Sequence, residues 1–93
     1  MPRRFRRRVN YNFKDSYYKP RGVKLKDLEE VKISSEELEV LRLRYLEKLD
    51  QREAAAKMGI SQSQYQRDMA EALKKITEAL VEVKAIDLIV SQK

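Results

Sequence analysis

The stretch Ser61-Gln62-Ser63-Gln64-Tyr65-Gln66-Arg67 holds the side chains of this 93-residue chain best suited to do chemistry. On a helix that starts at Gln62, the 3.6-residue repeat puts Ser63, Arg67, Ala70 and Lys74 on one face, with Gln64 and Glu71 at its edge. Gln suits the paired donor and acceptor of adenine, Arg the two acceptors of guanine, and Ser either base. Gln62, Ser63, Gln64 and Arg67 are therefore the candidate base contacts, and Arg52, Ser61 and Lys74 the candidate backbone contacts. An ordinary solvated helix face has the same residue types, and that alternative stays open. Asp68 lies toward the core side, where it is expected to orient Arg67 or a backbone neighbour.

A second set of chemically capable residues lies at the start of the chain. Arg3, Arg4, Arg6, Arg7 and Arg8 are candidate phosphate contacts, interleaved with or followed by Phe5, Tyr11, Phe13, Tyr17 and Tyr18, which could stack on exposed bases. The net charge of +6 is unevenly spread. Residues 1–26 carry ten Lys/Arg against Asp15 alone, net +9, and residues 27–93 carry eleven bases against fourteen acids, net −3. Residues 1–18 are expected to form a basic, aromatic arm, largely disordered without ligand, beside a domain over 19–93. The arm would lie on the DNA backbone or in the minor groove, as in the homeodomain arrangement. If five arm cations neutralise phosphates, log K should fall with log salt at a slope of about −4 to −5. Two alternatives remain: a solvated tail, and an N-terminal strand packed through Tyr11, Phe13 and Tyr17.

Composition excludes much else. With no His and no Cys, disulfides, imidazole catalysis, Ser-His and Cys-His pairs and His- or Cys-based metal sites are ruled out. The pairs Glu29-Glu30 and Glu36-Glu37 sit at helix ends, where carboxylates favour the dipole. Gly22 and Gly59 are the only glycines, so no Gly-rich phosphate loop exists. No enzyme, metal or cofactor is expected. No apolar run approaches 18 residues, and none follows the basic Met1-Pro2-Arg3-Arg4, so neither a membrane span nor a secretory signal is expected. The expected location is cytoplasmic.

Helices must position these residues. Ser34-x-x-Glu37, Asp50-x-x-Glu53 and Ser61-x-x-Gln64 each have capping-box spacing and predict helices over about 35–49, 51–58 and 62–84. Leu38, Leu41, Tyr45, Leu46 and Leu49 share one face of the first helix, with Val40 and Leu43 opposite, so this helix is expected to be covered twice. Gly59 should end the second helix, Ile60 plug the corner and small Ala55 allow close approach. Tyr65, Met69, Ala72, Leu73, Ile76, Leu80 and Val83 form the third helix's apolar stripe. Leu25–Glu30 has the look of a short helix, Val31–Ile33 of an extended segment and Ile86–Val90 of a short C-terminal strand. That strand would pair with Val31–Ile33 or with a second copy of itself. Ile76, Leu80 and Val83 need apolar cover, from Tyr45 and the Leu25/Leu28 segment or, the preferred expectation, from a homodimer partner. The fold class is thus mainly α, a three-to-four-helix domain containing a helix-turn-helix.

The run from Leu41 to Ser61, with Ala54-Ala55-Ala56-Lys57-Met58-Gly59-Ile60-Ser61 at its centre, resembles the helix-turn-helix of sigma-factor region 4. Together with Tyr18-Lys19-Pro20-Arg21-Gly22-Val23 and Ala79-Leu80-Val81-Glu82, it is similar to a prokaryotic family, domain of unknown function 134, described as predicted DNA-binding proteins. The resemblance spans roughly residues 17–90. It implies a region-4-like fold whose second helix enters the major groove, with Ser61 through Arg67 as the reading segment. The chain departs from the family pattern in having Gln64-Tyr65 where Thr-Phe is common, and Val83 where Gly is common. The function expected from residues and resemblance is sequence-specific binding of double-stranded DNA, as a transcriptional regulator. Two alternatives stand beside it. One is RNA or single-strand binding through the arm; the other is docking on the transcription machinery through Val40 and Leu43 as an exposed patch.

Overall fold

The computed structural model describes residues 7–90. In chain order they form strand β1 (Ser16–Tyr18), a single 3-10 turn (Leu25–Asp27), strand β2 (Glu30–Ser34), helix α1 (Ser35–Leu41), a π-helical turn (Arg42–Leu46), helix α2 (Gln51–Met58), helix α3 (Gln62–Val81) and strand β3 (Ala85–Ile89). Mainly α with short strands, the domain has the C-terminal strand and the three helices expected.

Local chemistry explains most boundaries. At α1 the Ser34 hydroxyl accepts the Glu37 amide while the Glu37 carboxylate accepts the Ser34 amide, and Asp50 and Glu53 repeat the exchange at α2. The third box is only half made: Ser61 Oγ accepts the Gln64 amide at 3.0 Å, but the Gln64 side chain turns elsewhere. Gly59 ends α2 with φ of 71°, and the Ile60 amide reaches back to the Ala55 carbonyl.

Two helices stop earlier than periodicity suggested. The first, expected to reach 49, widens after Leu41 into the π turn, closed by the Glu47 amide on the Arg42 carbonyl, and the chain then passes through Lys48 at φ 63°. The widening changes which residues share a face. Val40 and Leu43, candidates for an exposed patch, are fully buried, whereas Tyr45 and Leu46, expected in the core stripe, are 55% and 76% exposed. The third helix ends at Val81, not 84, because Val83 takes φ of 60° and the Lys84 amide folds back to the Ala79 carbonyl.

Strand β3 is the middle strand of a three-stranded sheet. It runs parallel to β2, with Val31 opposite Ile86 and Ile33 opposite Leu88, and antiparallel to β1, with Tyr17 opposite Asp87. The pairing with Val31–Ile33 is therefore within the chain. Helix α3 joins two cores. Its first half places Tyr65 and Met69 with Val40, Leu43, Ala54, Ala55, Met58 and Ile60. Its second half places Ala79, with Ile76 packed alongside, against Val31, Ile33 and Leu88 of the sheet. The sheet thus covers Ile76, while Leu80 and Val83 stay exposed, as do Tyr45 and Leu25, the segments expected to cover them. None of the helices in the described residues is long and apolar enough to cross a membrane.

Candidate nucleic-acid interface

The α2–α3 corner is built from the inside out. Ala54 and Ala55 are fully buried, which brings α2 close to α3, and Ile60 fills the space beneath the three-residue turn. Tyr65, wholly enclosed, donates its hydroxyl to the Val40 carbonyl, pinning the first turns of α3 to α1. Because Tyr65 and Met69 face inward, Gln62, Ser63, Gln66, Arg67 and Ala70 face out.

The candidate residues then fall into place. Gln62, Ser63 and Arg67 are exposed, and Gln64 is half-buried at the edge of the same surface. Arg67 Nη2 donates to Gln64 Oε1 at 3.0 Å, and Gln64 Nε2 donates to Asp68 Oδ1 at 2.8 Å. Gln66 bridges to Gln51 at 2.8 Å, tying the two helices across the corner. Arg52 and Lys74 are exposed on α2 and on the fourth turn of α3, and the Ser61 hydroxyl is engaged as the cap. The first turn of α3 carries no acid, unlike those of α1 and α2. Its partial positive end is therefore not offset from within the helix.

Of the segment expected as an arm over 1–18, residues 7–18 are described. From Arg7 onward it is laid against the body. Arg7 grips Asp68 with two nitrogens, and this hydrogen-bonded carboxylate holds the Arg7 guanidinium above its ordinary pKa. Arg8 donates to the carbonyls of Ala56 and Lys57, so it satisfies the C-terminal end of α2, and its backbone amide bonds the Met58 carbonyl. The Asn10 amide donates to Glu39, a fully buried carboxylate that also accepts two bonds from Arg42. Tyr11 lies beneath Arg42 and packs on Phe13 with ring centres 4.8 Å apart. Tyr17 enters the sheet and donates to Glu30. Arg3, Arg4 and Arg6, the other arm candidates, lie outside the described residues.

Sequence reasoning missed Glu39, Arg42 and the Arg7–Asp68 pair. An acid and a base three residues apart on a helix was a readable signal for the first two. Nothing local could signal a pair separated by 61 positions. Among the described residues no group of acids could hold a metal ion.

A compact body of two capped helices around a tight corner, backed by a small mixed sheet, is the class of domain defined here. The chain belongs to the family "Protein of unknown function DUF134", whose model matches residues 1–91. It is 46% identical over 88 residues to a UPF0251 protein of Methanocella arvoryzae, covering 95% of this chain and 53% of that protein. It is 45% identical over 80 residues to a UPF0251 protein of Halothermothrix orenii, covering 86% of this chain and 59% of that one. A UPF0251 protein of Methanosarcina acetivorans is 45% identical over 82 residues, covering 88% of this chain and 73% of that one. The chain spans little more than half the length of the first two. No solved structure matches it.

Proposed function

We propose that this chain is a sequence-specific double-stranded DNA-binding protein, acting in the cytoplasm as a transcriptional regulator, whose α3 enters the major groove. One observation carries the reading: the first two turns of α3 present Gln62, Ser63 and Arg67 outward, with Gln64 beside them, from a helix fixed by the buried Tyr65 and Met69. Base recognition needs donors and acceptors on a rigid support, because side chains held in place lose little further freedom on binding. The unneutralised N-terminal end of α3 supports it, since that end favours a phosphate. Arg52 and Lys74 would position the helix on the backbone, and Arg3, Arg4 and Arg6 would add sequence-independent affinity. The single-strand alternative has fewer stacking surfaces available, because Tyr11 packs against Phe13 and carries Arg42 over its ring.

Selection of bound duplexes from a random pool, at two salt concentrations, tests the proposal. A defined consensus is expected, and a two-fold symmetric one would also identify a homodimer. With that duplex, Arg67→Ala should cost roughly 1–3 kcal/mol and relax preference at one base pair. Recovery of no consensus, or an unchanged ratio of specific to random binding in Arg67→Ala, would overturn base reading by α3.

A further inference from the structure

The hydrogen bonds at the tip of α3 form one chain that begins in the arm. Arg7 Nε meets Asp68 Oδ2 at 2.6 Å and Arg7 Nη2 meets Oδ1 at 3.3 Å. Asp68 Oδ1 accepts the Gln64 amide nitrogen at 2.8 Å, and the Gln64 oxygen accepts Arg67 at 3.0 Å. A primary amide has one oxygen and one nitrogen, so a carboxylate holding the nitrogen fixes which way the oxygen points. The carboxylate of Asp68 is itself held by a planar guanidinium, whose two parallel donors define orientation as well as distance.

The half-made capping box shows what this chain displaces. Glu37 and Glu53, three residues past their caps, fold back to the cap backbone amide. Gln64 has the same place in α3 but reaches forward to Asp68 instead. Asp68 is also the only acid in the first two turns of α3, where an unbalanced carboxylate would repel a phosphate. We infer that Arg7 is a positioning residue for base recognition: it clamps and neutralises Asp68, and through Asp68 it aims Gln64 and Arg67. Its charge is spent within the protein and not on phosphate. This inference rests on α3 reading bases.

The test compares the whole chain with Arg7→Gln, Arg7→Lys, Asp68→Asn and the Arg7→Gln/Asp68→Asn pair. Each is measured on the selected duplex and on a random duplex across a salt series. Arg7→Gln should lower the ratio of specific to random binding about 5- to 10-fold, the scale of coupling between residues in one network. Its salt slope on random duplex should not change. Arg7→Lys should restore little, because an ammonium lacks the fork. In the Asp68→Asn background, Arg7→Gln should add no further loss. Equal weakening on both duplexes with the slope reduced by about 0.9 would make Arg7 a phosphate contact and overturn the inference. So would a loss of the same size in the Asp68→Asn background. A wild type that prefers no duplex sinks base reading and this inference together, whereas intact preference in both wild type and Arg7→Gln sinks positioning alone. A readout on the free protein needs no DNA: Arg7→Gln should shift the Gln64 side-chain amide resonances while the thermal melt stays cooperative. Unmoved resonances would overturn the inference.

Discussion

Tyr65 shows how one residue can serve both stability and the candidate site. It is fully enclosed, its hydroxyl donates to Val40, and burial pushes its pKa up to about 12 from the ordinary 10.0. Ionisation is thus easier in the unfolded chain than in the folded one. The stabilising contribution is fully present below pH 10 and declines as pH rises from 10 toward 12. Tyr65→Phe is expected to cost about 1 kcal/mol at neutral pH, through the lost bond to the Val40 carbonyl. It should also flatten the loss of stability between pH 10 and 12 relative to wild type, measured by denaturant melts at each pH. At this scale the sequence was readable in part. Its stripe placed Tyr65 and Met69 inward, which fixed the outward identity of Ser63 and Arg67. It offered Asp68 the neighbouring Arg67 or a backbone group, whereas Asp68 holds Gln64 and Arg7, the latter from a distant part of the chain.

At the level of elements, the same terminator is built twice from different residues. After α2, Gly59 holds φ 71° while the Ile60 amide reaches the Ala55 carbonyl; after α3, Val83 holds φ 60° while the Lys84 amide reaches the Ala79 carbonyl. Glycine adopts this conformation freely, but a β-branched residue pays a steric cost of about 1–2 kcal/mol there. Val83→Gly should therefore stabilise the domain by about 1 kcal/mol, after allowing for the extra freedom of glycine in the unfolded chain. A calorimetric Tm raised by roughly 4–8 °C would bear this out, and a lowered one would mean that Val83 makes packing contributions larger than its strain. Gly59 marked its turn plainly in the sequence. Val83 did not, since valine continues an apolar stripe as naturally as it ends one, and the expected helix ran to 84. The first helix misled for a related reason. Strict 3.6-residue spacing put Tyr45 and Leu46 with Leu38, but the π turn rotates later residues relative to earlier ones and buries Leu43 instead. The buried Glu39–Arg42 pair sits where that turn begins, with Arg42 Nε 2.8 Å from Glu39.

Across the whole molecule, the division of charge has a sharper meaning once the arm is in place. Residues 1–26 carry net +9, yet Arg7 and Arg8 are occupied by Asp68 and by the end of α2. Of the five arginines at the start of the chain, Arg3, Arg4 and Arg6 remain as candidates for phosphate. Replacing these three with Ala should lower the magnitude of the salt slope by about 3, with the melting temperature unchanged. Titrations on random duplex across a salt series measure this. If Arg7→Ala and Arg8→Ala added to this variant lower the slope by a further amount of about 2, those two arginines leave their internal partners on binding.

The sequence by itself determined the capped starts of the helices, the corner at Gly59, the inward Tyr65–Met69 stripe of α3 and the family, because each depends on neighbours within a few residues. Tertiary structure alone decided that β3 would sit between β1 and β2, that the sheet would cover Ile76, and that Arg7 would close on Asp68. Those choices join segments tens of residues apart, and the free energy that selects them, burial against the sheet and a paired charge, exists only once the chain has folded.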